Sequence, residues 1–160
     1  MSEELSRPEL PAISFLQELS DDDRRLLSGY GEFLPAAAGN QVIKEGAKQE
    51  CLYLVLSGLL HVSRSKEGVR TLLWRVTPGE TFGEVNLFDP QEASADVLAQ
   101  EFSQIWKASR EDVELFVQTY PEAGAKLLSG IAGLLSRRLR AMNQRFATLQ
   151  EALASHQSWH

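Results

Sequence analysis

The chain of 160 residues has a single cysteine, Cys51, and therefore no internal disulfide. A lone thiol of this kind suits a reducing compartment. Three histidines occur, His61, His156 and His160, with no His-x-His pair. That scarcity removes the ligand sets with which a β-roll holds a catalytic metal. No Gly-x-Ser-x-Gly elbow, phosphate-binding loop or dinucleotide fingerprint is present, so the common nucleophilic and cofactor chemistries have no residues to run on. Nowhere does an apolar run reach the roughly 18 residues a membrane helix needs. The opening MSEELSRPEL is acidic and polar, unlike a secretion leader. These absences lead to the expectation of a cytoplasmic protein with no membrane partner, no cofactor and no enzymatic activity.

Positive charge is also scarce, and unevenly so. The formal net charge is −6, which argues against broad phosphate-backbone binding. Val76 to Trp106 contains no Lys or Arg, while Glu80, Glu84, Asp89, Glu92, Asp96 and Glu101 lie within it. That stretch alone accounts for the whole imbalance. The one basic band, Arg137, Arg138, Arg140 and Arg145 in SRRLRAMNQR, reads as a solvated helix face or as a partner for the acidic segment of a second subunit.

What is present divides into three stretches. Residues 1–13 carry Pro8 and Pro11 and read as a flexible lead-in. Phe15, Leu16 and Leu19 then open a helical hairpin, with Ser20 and Asp23 as a capping box and a helix running through Tyr30 to Gly31. From about Glu32 to Ser109, short apolar runs (QVIKE, CLYLVLS, LLHVSR, VRTLLWRV, ADVLA, FSQIWKA) alternate with Gly, Pro and Asn punctuation. Many short strands at close intervals mean an antiparallel sandwich or roll. Phe82 to Phe88 (FGEVNLF) is too polar at its start for a strand and reads as a short inserted helix beginning at Gly83 and Glu84. Trp74 and Trp106 read as core aromatics, Cys51 as a small buried side chain, His61 as a strand residue and Trp159 as part of a frayed end.

Helical periodicity returns after Ser109. Ser109 with Asp112 forms a second capping box, and Pro121 suits the first position of a new helix. Leu128, Ile131 and Leu135 follow 3-4 spacing, as do Leu139, Met142, Phe146, Leu149 and Leu153, the two runs offset by one residue. A helix this long outruns one small roll, so its apolar stripe reads as a homodimer seam.

The order of elements and three stretches, GNQVIKEGAKQECLYLVLSGLLHV, TPGETFGEVNLF and ASADVLA, resemble the cyclic-nucleotide-binding domain of the catabolite-activator type across about Phe15 to Phe146. Gly39, Gly46, Gly58 and Gly79 stand where that family turns its strands. The resemblance implies a mainly β fold, an antiparallel double-stranded β-helix or jelly roll, with N-terminal helices and a long C-terminal helix. It divides the chain into the lead-in 1–13, a roll with flanking helices at 14–120, and the helix with its tail at 121–160.

The resemblance also places a ligand site at Gly83, Glu84, Val85, Ala93, Ser94 and Ala95. Backbone amides at Gly83–Val85 would receive a cyclic phosphate, and Glu84 would accept from a ribose hydroxyl. The family's phosphate-binding arginine falls at Ala93 and is missing, whereas Ser94 and Ala95 match. Losing one partner of a buried charge pair costs about 2–5 kcal/mol, or roughly 30- to several-thousand-fold in affinity. Arg64, Arg70 or Arg75 on a neighbouring strand are candidate substitutes. The expected function is a regulatory sensor domain with weak or altered binding of cyclic AMP, cyclic GMP or another small ligand. The alternative is a ligand-free dimerisation or protein-interaction module. Family members that regulate transcription carry a helix-turn-helix after the long helix; here the expectation is a stand-alone domain without one.

Overall fold

Burial along the central strands follows the two-residue period of a pleated sheet, and it sorts side chains between two cores. The computed structural model describes residues 8–158. In β4 (Cys51–Ser57), Leu52 and Leu54 enter one apolar cluster while Tyr53 and Val55 enter the other. In β10 (Ser103–Ser109), Trp106 and Ala108 join the first cluster and Ile105 the second. One core therefore lies inside the roll and the other under the helices.

The roll is built from two four-stranded antiparallel sheets. The first has the order β1 (Glu32–Ala36), β10, β4, β7 (Thr81–Phe82). The second runs β2 (Gln41–Ile43), β9 (Asp96–Ala99), β5 (Leu60–Lys66), β6 (Val69–Val76). A two-stranded pair, β3 (Lys48–Gln49) with β8 (Gln91–Glu92), closes one end. With the long C-terminal helix this is the expected mainly β jelly roll. The four strand-turning glycines all have positive φ. Gly58 shows why: at φ 98° a Cβ would lie 2.1 Å from Ser103 Oγ, a hydroxyl that accepts from the Leu59 N–H at 3.2 Å.

Three helices cover the first sheet. α1 (Asp21–Ser28) starts on Ser20, whose side chain accepts from the Asp23 N–H. It stops at Gly29, two residues before the expected Gly31, and the first arm of the expected hairpin is only a 3-10 turn, Ser14–Leu16. α2 (Arg110–Thr119) carries the complete Ser109–Asp112 capping box. α3 (Pro121–Gln157) is continuous over 37 residues, roughly 55 Å at a 1.5 Å rise. The described part of the lead-in corrects the flexible reading: Leu10 is buried in the helical core, and its carbonyl accepts from Arg24 Nε at 3.0 Å. Residues 1–7 and the expected frayed Trp159 lie outside the described residues.

Trp106 is buried as expected, but Trp74 is not. It stands on β6, an edge strand whose residues Val69 to Arg75 are all exposed. Cys51 is half-buried, and burial pushes its thiol upward, away from a reactive thiolate.

α3 buries Ala123, Leu127, Ile131 and Leu134 against the helical core and nothing beyond Leu134. Its approach to the Ser14–Leu16 turn depends on Gly130, where a Cβ would sit 2.1 Å from the Phe15 carbonyl oxygen. Gly133, one turn on, faces only the tip of Arg137 at 3.3 Å. Replacing a helical glycine by alanine ordinarily stabilises by roughly 1 kcal/mol. Gly133→Ala is expected to follow that rule, whereas Gly130→Ala should destabilise by at least about 1–3 kcal/mol through overpacking. Urea unfolding of the two variants checks this opposition of sign.

Candidate functional site

The inserted segment after β7 is a 3-10 turn, Glu84–Asn86, preceded by Gly83 in the left-handed region at φ 77°. Only glycine suits this place, because conformation and space both exclude a side chain. A Cβ would lie 2.5 Å from the Cys51 carbonyl oxygen and 3.2 Å from the Tyr53 ring. Beneath it Tyr53 and Phe82 stack at 4.6 Å with nearly parallel rings. The phenol is desolvated, and its pKa is pushed up to about 12. The turn thus rests on a rigid apolar floor, with its first amides lacking partners of the helical kind.

Glu84 turns inward and is 2% exposed. Its Oε1 lies 2.5 Å from Nη1 of Arg138 on α3, while its Oε2 is buried with no hydrogen-bond partner. Arg138 also donates through Nη2 to the carbonyl and the hydroxyl of Thr81. One guanidinium therefore links the long helix to both β7 and the turn. A buried acceptor without a donor is costly, and here it sits next to a backbone that only glycine permits. The residues fit a ligand that brings a hydroxyl.

The other expected site residues separate. Ala93 and Ala95 are buried in the core of the roll, Ser94 is exposed between them, and Val85 is 66% exposed. The Ala93 N–H and carbonyl bond Ala47 and Gly46, so this stretch is held as backbone and presents no cation. None of the three candidate arginines reaches the turn as a substitute. Arg64 lies 3.7 Å from Glu45; Arg70 lies 3.7 Å from Asp96 and donates to Ser63. Arg75 faces a cleft beside α3. Asp96, though within the acidic stretch, is structural: it accepts from the Glu45 N–H at 2.7 Å and from Gln41 at 3.0 Å.

The cation at the turn is Arg138, which corrects its reading as part of a solvated face. Its signal in the sequence was only that a basic residue falls on the buried-side spacing of the helix, Leu134 to Arg138.

Known proteins share this fold. The family described as Cyclic nucleotide-binding domain matches residues 34–120. The Cyclic AMP receptor protein of Thermus thermophilus is 36% identical over 104 residues, which are 64% of this chain and 46% of that protein. The CRP-like cAMP-activated global transcriptional regulator of Mycobacterium tuberculosis is 29% identical over 112 residues, 69% of this chain and 48% of that one. The chain thus spans about half the length of these relatives. Among solved structures, the Thermus thermophilus Catabolite Activator Protein superposes with a TM-score of 0.74 at 28% identity, over 86% of this chain and 63% of that one. Among the described residues no helix is long and apolar enough to cross a membrane.

Burial holds the Glu84 carboxyl above the usual carboxylate range, and the Arg138 guanidinium pulls it part of the way back. A carboxyl raised in this way binds its proton more tightly folded than unfolded. Its contribution is complete below the unfolded carboxylate range and is lost as pH rises through the folded value. Arg138→Gln removes the opposing pull and widens that loss. The variant is expected to be destabilised by about 2–4 kcal/mol at pH 7, somewhat less than for a fully buried pair because Arg138 is 30% exposed. At pH 5 the cost should be clearly smaller. Urea midpoints at the two pH values test this, and equal destabilisation at both would contradict it.

Proposed function

This chain belongs to the cyclic nucleotide-binding domain family, and from that premise we propose that it is a non-catalytic sensor domain that binds a cyclic nucleotide weakly and reports it through α3. The observation that carries this reading is Glu84, buried beside the Gly83 turn with one oxygen on Arg138 and the other without a donor. A ribose hydroxyl would satisfy Oε2, and the amides of Gly83 to Val85 would face the cyclic phosphate. Cyclic AMP is the first candidate, since both bacterial relatives are named for it; cyclic GMP is the second.

Two features set the strength of binding. Ala93 offers no positive charge, so the phosphate lacks the arginine the resemblance expects. Arg138 is the cation nearest the turn, but it already neutralises Glu84. A ligand that claims Glu84 competes with the contact that ties α3 to the roll, and the helix then shifts its balance between held and released poses. Ligand affinity and helix pose are coupled in both directions.

A second reading rests on α3 itself. Beyond the roll, Leu139, Met142, Phe146, Leu149 and Leu153 are each more than half exposed at 3-4 spacing, a stripe suited to a second copy of the chain. A homodimer through this seam would carry the helix movement between subunits, or serve assembly alone if no ligand binds.

Titration calorimetry with cyclic AMP and cyclic GMP separates the readings. Heat of binding in the micromolar to millimolar range, abolished by Glu84→Ala, supports the sensor; silence to millimolar supports the assembly module. Ala93→Arg should tighten binding by roughly 30-fold or more if the turn is otherwise intact. For the seam, sedimentation equilibrium should give a dimer that Leu139→Glu with Phe146→Glu converts to monomer. A monomer before mutation would sink the dimer.

A further inference from the structure

One cavity among the described residues is not enclosed by the roll. It is a cleft of about 700 Å³ between the β6–β7 connection and α3, and four of its lining residues are arginines: Arg75, Arg137, Arg138 and Arg145. The chain has a net charge of −6 and only 16 Lys and Arg in all, so this gathering is a local inversion of the protein's charge. Arg75 comes from β6 and the other three from α3, and elements distant in sequence have been brought to one opening. Arg138 is engaged by Glu84 and Thr81. Arg75, Arg137 and Arg145 make no ion pair among the described residues. The single carboxylate on the rim, Glu80, accepts from the Thr77 N–H.

Like charges facing one cavity repel each other and concentrate anions. Guanidinium groups favour phosphate oxygens, which they meet with two parallel bonds. The cleft also has an apolar wall. Trp74, 40% exposed as a residue, lines it alongside Leu134 and Met142. A volume of this order suits a ligand of nucleotide size, given pockets of roughly 300–1,000 Å³ for such molecules.

We infer that this cleft is a second binding site, distinct from the Gly83–Glu84 turn, for an aromatic ligand bearing two or more phosphate charges: a nucleoside polyphosphate. Arg75, Arg137 and Arg145 take the phosphates, and Trp74 packs on the base. A singly charged cyclic nucleotide leaves guanidiniums unmatched, and an inorganic polyphosphate leaves the indole bare. Since the cleft bridges β6 to α3 beyond Leu134, the last residue that α3 buries, its occupant would clamp the free half of the helix to the roll. This would oppose the release that a ligand of Glu84 promotes.

Calorimetry at low salt with ATP, tripolyphosphate and cyclic AMP tests the assignment on the full chain. The paired variant Arg137→Gln with Arg145→Gln changes exposed residues and leaves the fold and the Glu84 turn intact. ATP should bind, and the pair should weaken it at least tenfold, as expected from losing two charge-assisted contacts. Trp74→Leu should weaken ATP several-fold and leave tripolyphosphate unchanged. Cyclic AMP, where it binds, should depend on Glu84 and not on Arg137 or Arg145. Absence of ATP binding to millimolar, equal ATP affinity in the paired arginine variant, or no effect of Trp74→Leu on ATP would each overturn the site. So would loss of ATP binding in Glu84→Ala, because the two ligands would then share one place.

Discussion

Glu84 is a charge-bearing side chain in a dry place, and the rest of the structure arranges itself around that fact. A carboxylate stripped of water needs a partner or a proton. The acidic stretch from Val76 to Trp106 contains no cation to supply one. The partner comes instead from α3, which must run along the roll in one particular pose for Arg138 to arrive. Gly130 lets the helix close onto the Phe15 carbonyl, and Leu127, Ile131 and Leu134 fix its rotation. Helix packing, the ion pair and the state of the turn are consequently one mechanical unit.

On the proposed reading, the same pair would give the domain a means of signalling. A helix held by many buried leucines would not respond to a small molecule. Here the last point of attachment is a single partly exposed guanidinium, beyond which more than half of the described helix stands free. A contact of this size is comparable to the binding energy of a weak ligand. On the proposed reading, an alanine at position 93 is physically consistent: with Arg138 already near the turn, strong phosphate binding there would compete with a contact the fold uses for itself.

The general architecture was legible in the sequence because local signals and tertiary structure agree. Gly39, Gly46, Gly58 and Gly79 punctuate the strands with positive φ, Ser109 and Asp112 cap α2, and Pro121 starts α3. Gly83 and Glu84 were legible as the start of a turn inside the roll. What could not be read was where distant elements meet. Trp74 has the alternation of a core residue, but β6 lies at the edge of its sheet, and nothing local marks an edge. Leu10 lies between two prolines in a polar run and is nevertheless covered, since Arg24 anchors its carbonyl. Arg138 looked like one of four solvated arginines. Arg137 lies about 100° and Arg140 about 160° away from it around the helix, and the face that α3 buries is decided upstream at Leu127, Ile131 and Leu134.

Whether Glu84 and Arg138 act as a unit is best measured by a double-mutant cycle of Glu84→Gln, Arg138→Gln and the pair, with stability read from urea unfolding at pH 7. A coupling energy of at least about 1.5 kcal/mol is expected, the two single losses being far from additive. Additivity within about 0.5 kcal/mol would mean that helix and turn are independent, and the coupling of ligand to helix pose would have no physical basis.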